Sequence, residues 1–407
     1  MTDITSIMPQ MLTGKELDKA LEIIPDYDTS IREKSITERL IALQDIYKIF
    51  IPNAMSKEIY TKMYLSLLRS LRKKQSITAV RQFSENSKMV RRQQCEGLMG
   101  GSDSYTIIGP SGIGKSTCIN RIMQLISDKP IIYFNNSNII SCLVVQTPAD
   151  SSVKGLLLEI LRKTDEMLGT KYYENSIRSH ATVDMLIGSV SQIALCHIGL
   201  LIVDETQNIV SSKNGTVLIG TLTQLINNSG ISIAFVGTPE TTVFFEQAFM
   251  LARRMLGLNY KAMVYDDEFR NFCLNILRYC YVKETPVIDE VMLLWLYNHS
   301  QGNVSVVVGL IYDAQEIAIL NNTEKLDIAT LTAAYQNRMT MLHDYIAPEK
   351  SKVTPLKKKI PEYIPIKESS VSDDVNICEI TDRAKSCGLN IVKEMKKHGI
   401  KILEVKT

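Results

Sequence analysis

Eight consecutive residues hold the clearest chemistry in the chain: Gly109-Pro110-Ser111-Gly112-Ile113-Gly114-Lys115-Ser116. They fit the Gly-x-x-x-x-Gly-Lys-Ser/Thr phosphate-loop pattern. Glycines at those positions let the backbone wrap so that successive N–H groups point at phosphate oxygens. A lysine placed like Lys115 reaches the β- and γ-phosphates as a point charge. The Ser116 hydroxyl is suited to Mg²⁺, and Thr117 extends the set into a helix whose positive N-terminal end favours an anion. The expected ligand is ATP with Mg²⁺.

Two further segments supply chemistry that a triphosphate would use. Leu200-Leu201-Ile202-Val203-Asp204-Glu205 is an apolar run ending in two carboxylates. Asp204 is the candidate for the Mg²⁺ shell and Glu205 for the base that polarises an attacking water. Phe235-Val236-Gly237-Thr238-Pro239-Glu240 ends a second apolar run, and Thr238 is placed to hydrogen-bond a γ-phosphate or the lytic water. Strand C-termini line the ligand crevice of a doubly wound sheet, which is why these ends matter. Arg253 and Arg254 follow a helical stretch, Thr241–Met255, and either is a candidate arginine finger for a neighbouring subunit's phosphate. The plainer alternatives are a solvated turn at the strand ends and a solvated helix face at the arginines.

These residues need a scaffold, and the hydrophobic pattern supplies one. Short apolar runs at Tyr105–Ile108, Ile131–Phe134, Ile139–Val145, Leu200–Val203, Ile231–Val236 and Ala262–Tyr265 alternate with helical periodicity at Ser116–Ser127, Ser152–Leu168, Val183–Ala194 and Thr216–Asn227. Fully apolar strands alternating with helices predict a buried parallel sheet covered on both faces. Residues 1–98 read as a helical N-terminal region, with apolar faces at Thr37–Lys48 and Glu58–Lys73 separated by prolines 25 and 52. Residues 99–265 form the α/β core. Residues 266–345 return to helices alone, at Glu268–Tyr281, Ile288–His299, Val304–Leu320 and Ile328–His343. Residues 346–407, broken by prolines and charged by lysines, read as a flexible basic tail with a short helical patch at Ile380–Met395.

Composition narrows the class. The 407 residues are 45% hydrophobic with a formal net charge of +2, so a core is affordable and any nucleic-acid surface must be a local patch. Such a patch is visible at Arg69, Arg72, Lys73, Lys74, Arg81, Lys88, Arg91 and Arg92, which face one acid, Glu85. None of the eight cysteines forms a Cys-x-x-Cys pair, which argues for reduced core thiols over a zinc site. No basic residue precedes an apolar run at the N-terminus, and no stretch of about 18 apolar residues occurs. The expectation is a cytoplasmic, DNA-associated protein with no membrane span.

The order of these motifs resembles that of the AAA+ ATPases. Within that group the chain is similar to transposition regulators of the TnsC, TniB and MuB type, and nearest to TnsC. The similarity rests on Ile51-Pro52 before an amphipathic segment, on Val145-Gln146-Thr147-Pro148 followed by Lys154-Gly155-Leu156-Leu157-Leu158-Glu159-Ile160-Leu161, on Leu168-Gly169-Thr170, and on the Phe235–Glu240 segment. It covers roughly residues 30–345. It implies a homo-oligomer, ring or helical filament, that assembles on double-stranded DNA in the ATP state, bridges a target-selection protein and a transposase, and is reset by hydrolysis. It also implies DNA contacts near Lys154 and Lys171, where ordinary helix and loop solubility is the competing account. One departure stands out: where many such lids carry Gly-x-x-Arg, this chain reads Gly302-Asn303-Val304-Ser305. The missing arginine implies a slow ATPase acting as a timer. Two other readings share the same motifs, a replication initiator or helicase loader and a scaffold that binds ATP without useful hydrolysis. The tail is too sparse in apolar residues for the winged-helix domain the first usually appends. The Asp204–Glu205 pair argues against the second.

Overall fold

The computed structural model describes residues 8–75, 104–127, 129–134, 137–150, 152–210, 215–242 and 256–339. Five of the six apolar runs predicted as strands, with small shifts at their ends, are strands of a six-stranded sheet. In chain order the strands are β1 (Tyr105–Ile108), β2 (Ile131–Phe134), β3 (Ser137–Gln146), β4 (Ile198–Asp204), β5 (Ser232–Gly237) and β6 (Leu256–Asn259). Their order across the sheet is β2-β3-β4-β5-β1-β6. All neighbours are parallel except β2 and β3, which form an antiparallel edge hairpin with Ile131 opposite Ile140. The expected parallel sheet is therefore mixed at one edge.

The period-two rule of a strand divides the core into two faces. Leu200 and Ile202 of β4 join one buried cluster and Leu201 and Val203 the other. The first face is covered by α1 (Gly14–Leu21), α3 (Ala54–Gln75) and α4 (Lys115–Ile126). The second is covered by α5 (Val153–Leu168), α7 (Val183–His197) and α9 (Gly215–Ser229). Two short helices, α6 (Tyr172–Arg178) and α8 (Gln207–Val210), fill the connections. No helix among the described residues is long and apolar enough to cross a membrane.

The helical lid consists of α10 (Asp267–Leu277), α11 (Glu290–Ser300), α12 (Val304–Leu320) and α13 (Ile328–Arg338) around its own core. Leu43 and Ile46 of the N-terminal region belong to that lid core. The N-terminal helices thus serve two cores. α2 (Ile36–Leu43), opened by a Ser35/Glu38 capping box, packs on the lid, whereas α3 packs on the sheet. Between them the chain tightens into a 3-10 turn, Gln44–Lys48, so the continuous helix predicted over Thr37–Lys48 is two pieces. A buried ion pair welds α2 down: both terminal nitrogens of Arg39 donate to the carboxylate of Glu324, at 2.6 and 2.7 Å.

The last strand is a correction. Ala262–Tyr265, the predicted final strand, is not a strand; β6 lies six residues earlier and pairs with β1 through Tyr105–Leu256 and Ile108–Asn259. The Met263 N–H is committed instead to the Gly302 carbonyl of the lid, at 3.0 Å, and Val264 is 61% exposed, which no buried strand permits. Arg253, Arg254, the basic residues from Arg81 to Arg92 and the tail from residue 346 lie outside the described residues.

Candidate functional site

The loop after β1 turns where the sequence predicts. Gly112 and Gly114 sit in the left-handed region, at φ 83° and 95°, which only glycine enters without strain. A Cβ at Gly109 would meet the Ile113 side chain at 2.5 Å and the Tyr260 carbonyl at 3.0 Å. Gly114 is the N-cap of α4 and provides no side-chain cap, so the first-turn N–H groups face the loop's concave side as an anion site would require. Lys115 Nζ donates to the carbonyls of Gly109 (2.6 Å) and Pro110 (2.9 Å), folded over the loop it belongs to. Burial lowers its pKa, an effect opposed by the carboxylates of Asp204, Glu205 and Glu240.

Parallel pairing of β1 with β5, and of β5 with β4, brings the strand C-termini to the same rim. The Ser116 hydroxyl lies 3.1 Å from Asp204 Oδ2, so the two groups suited to a divalent cation are adjacent. Glu205 has a left-handed backbone, φ 57°, held by its N–H donating to Asp204 Oδ1 at 2.8 Å. A non-glycine residue in that region stores strain of the kind found at functional sites. Thr206 pins the turn by donating both its N–H (3.0 Å) and its hydroxyl (2.9 Å) to the Val236 carbonyl. Thr238 stands on the rim beside Glu240, and its side chain is the main influence that lowers the pKa of that carboxylate.

Sequence reasoning missed three side chains. Gln207 donates from Nε2 to Glu205 Oε2, restraining the candidate base. Asn303 and Ser305, seen only as the place of an absent arginine, reach the phosphate loop itself. Asn303 Nδ2 donates to the Ser111 carbonyl at 2.8 Å, and the Ser305 N–H donates to the Gly112 carbonyl at 2.9 Å. A Cβ on Gly112 would collide with both side chains. The signal was available in Gly302-Asn303-Val304-Ser305 as a helix start, but not its contact.

Loop, strand ends and lid enclose a cavity of about 700 Å³. One part of its lining is polar, with Lys115, Ser116, Asp204, Glu205 and Thr238. The other is apolar, with Ile49, Phe50, Ile51, Met263 and Phe272. An anion cradle, an adjacent hydroxyl–carboxylate pair and an apolar slot fit a nucleoside triphosphate with a divalent cation. Lys154 and Lys171 are both exposed, Lys154 in the first turn of α5 and Lys171 beyond its C-terminal end as the N-cap of α6. Arg69 and Arg72 are exposed on α3, while Lys74 donates to the carbonyls of Ala194 (2.8 Å) and Leu195 at the end of α7.

Residues 99–243, which contain every element of this rim except the lid, match the family model described as an AAA domain. Over those residues the chain is similar to an AAA domain. Its fold, a mostly parallel sheet with a phosphate loop and a helical lid, is that of the α/β P-loop AAA+ ATPases. No curated protein sequence matches the chain. Among solved structures, the Aeropyrum pernix ORC1 protein in complex with DNA is similar at 13% identity and a TM-score of 0.43, with 64% of each chain covered. This chain thus spans under two thirds of that protein's length. Drosophila ORC bound to DNA is similar at 10% identity and a TM-score of 0.42, covering 98% of this chain and 86% of that one. The Aeropyrum pernix ORC2 protein in its ADP form is similar at 15% identity and a TM-score of 0.41, covering 78% and 76%.

Proposed function

We propose that the AAA-like domain binds Mg²⁺-ATP and hydrolyses it slowly, as a timer on an assembly. The observation that carries this reading is the meeting of Lys115, Ser116, Asp204 and Glu205 at one end of a lid-closed cavity. In this reading the loop from Gly109 to Thr117 cradles the phosphates and Lys115 leaves its carbonyl partners for the β- and γ-phosphates. Ser116 and Asp204 hold the cation, which supplies charge neutralisation on the phosphates. Glu205 accepts the proton of the attacking water. Thr238 orients that water. Arg253 or Arg254 of a neighbouring subunit completes the site. Ser305, where an arginine would stabilise transferred charge, brings none, which supports slow turnover.

The finer reading is a regulator of transposition that oligomerises on duplex DNA and couples a target-selection protein to a transposase. Its support is the motif resemblance over residues 30–345, with the basic surface of α3 and residues Lys154 and Lys171 as backbone contacts. Hydrolysis then limits the lifetime of the assembly. The test combines phosphate release with electron microscopy, in Mg²⁺-ATP or a non-hydrolysable analogue, with and without duplex DNA. Nucleotide-dependent rings or filaments on DNA are expected, dispersing as ATP is consumed. Monomers under all those conditions sink the assembly reading. A replication initiator passes this first test, so the second arm adds a transposase and asks for ATP-dependent strand transfer.

A further inference from the structure

The polar lining of the cavity is accounted for above; the lining also includes an aromatic ring with no role in that account. Tyr47 lines the cavity from the 3-10 turn Gln44–Lys48 and is 58% exposed. Large aromatics are seldom left so open, and this ring is not loose. It packs against Tyr312 of α12, ring centroids 4.8 Å apart and planes at 41°. The turn is anchored beyond it by a two-way backbone bridge between Ile23 and Phe50, 2.9 Å in each direction. One face of the ring is therefore backed by a second aromatic while the residue borders an apolar slot.

Helix α12 gives the scale. Its first residue, Val304, adjoins Ser305, which bonds the phosphate loop at Gly112. Val308, one turn on, also lines the cavity, and Tyr312, a further turn on, holds Tyr47. Two turns at 1.5 Å per residue set Tyr312 about 12 Å along the axis from Val304. That spacing is comparable to the reach from the terminal phosphate to the base of a nucleoside triphosphate. We propose that Tyr47 is the nucleobase-stacking residue of this site, held in place by Tyr312, and that it sets a preference for purine over pyrimidine nucleotides. A π-face accepts any base, so the selection is by stacking area rather than by edge hydrogen bonds, and ATP and GTP are discriminated little by this contact. Because Tyr47 lies in the N-terminal segment and packs on Tyr312 of the lid, a base stacked on its open face meets the first directly and the second through Tyr47.

The inference rests on the nucleotide reading above, and the experiment separates the two. Titration calorimetry with Mg²⁺ measures ATP, GTP, UTP and inorganic tripolyphosphate binding to the full chain and to Tyr47→Ala, Tyr47→Phe and Tyr312→Ala. Tyr47→Ala is expected to weaken ATP and GTP about tenfold, to abolish the purine preference and to leave tripolyphosphate unchanged. Tyr47→Phe keeps wild-type affinities, and Tyr312→Ala shows a smaller loss confined to the nucleotides. Tyr47→Trp should report purine binding by a fluorescence change that tripolyphosphate does not produce. Unchanged ATP affinity in Tyr47→Ala overturns the assignment, and so does an equal loss for ATP and tripolyphosphate, which marks a structural role. A wild-type chain that binds tripolyphosphate and ATP equally also overturns it while leaving the phosphate site intact. A chain that binds none of the four overturns the nucleotide reading itself.

Discussion

Arg39 and Glu324 are 285 residues apart in sequence and form a bidentate, buried ion pair, with Arg39 also donating to the Tyr281 carbonyl at 3.2 Å. It fixes α2 to the lid. Removing one partner strands a buried charge, so Arg39→Met should cost about 3–5 kcal/mol in urea unfolding, and the double change with Glu324→Met should recover most of that loss. The Arg39 guanidinium holds the Glu324 pKa below its ordinary value. A carboxylate with a depressed folded pKa stabilises the fold fully above its unfolded value, about 4.3, and that contribution is lost as pH falls through the folded value. Urea midpoints measured from pH 6 downwards should therefore fall more steeply below about pH 4 for the wild type than for Glu324→Gln.

Gln207 and Glu205 give the second prediction. The amide of Gln207 occupies a carboxylate oxygen that a base needs free. Gln207→Ala should raise steady-state phosphate release severalfold with little change in ATP affinity. Glu205→Gln should retain ATP binding, lose about 10²–10⁴ in turnover and leave long-lived assemblies on DNA. If Glu205→Gln turns over ATP like the wild type, another group is the base.

The contrast between these residues and Lys115 shows what a sequence reveals. Gly109–Ser116 is contiguous, and its conformation is dictated locally by glycines and a helix start, so it is legible in the order of residues alone. Asp204 and Glu205 are legible because a fully apolar strand must end somewhere and parallel pairing fixes where. Asn303 and Ser305 act through tertiary contacts, 192 residues apart for Asn303 and Ser111, and nothing in their local pattern announces a partner. Gln207 meets Glu205 only two residues away, but through the left-handed backbone of Glu205, which residue types alone do not announce. β6 is misplaced by sequence reasoning for a related reason. Leu256-Gly257-Leu258-Asn259 buries only Leu258 among its described side chains and owes its strand state to β1, while Ala262–Tyr265 has the better strand composition but belongs to the lid contact. The N-terminal helices show apolar faces, yet which core each face meets depends on the whole fold.

Ser305 tests the timer reading directly. Its side chain stands beside Gly112, so Ser305→Arg places a guanidinium near the phosphate loop. Turnover should rise, by about tenfold if the new cation meets developing charge, since single positioned donors are worth about 10²–10³ at best. Single-turnover hydrolysis separates this from faster product release. A rate unchanged by the substitution, with ATP still bound, would show that the absent arginine does not set the rate.

Asn303 does two things that one substitution can separate. Its Oδ1 caps α12 by accepting from the Ser305 N–H at 3.1 Å, while its Nδ2 donates to the Ser111 carbonyl at 2.8 Å. Asn303→Ala loses both, and should cost about 1 kcal/mol of lid stability from the cap alone. Asn303→Asp keeps the cap, because aspartate is as good an N-cap as asparagine. It removes the donor and sets a carboxylate against the phosphate loop, where an anion must bind. Asn303→Asp should therefore unfold at nearly the wild-type urea concentration yet bind ATP at least about tenfold more weakly, a penalty of roughly 1.4 kcal/mol. The loss should shrink as salt is added, because repulsion between partly exposed charges is screened. Equal ATP affinity in Asn303→Asp and wild type would mean the lid contact to Ser111 opens before the nucleotide arrives.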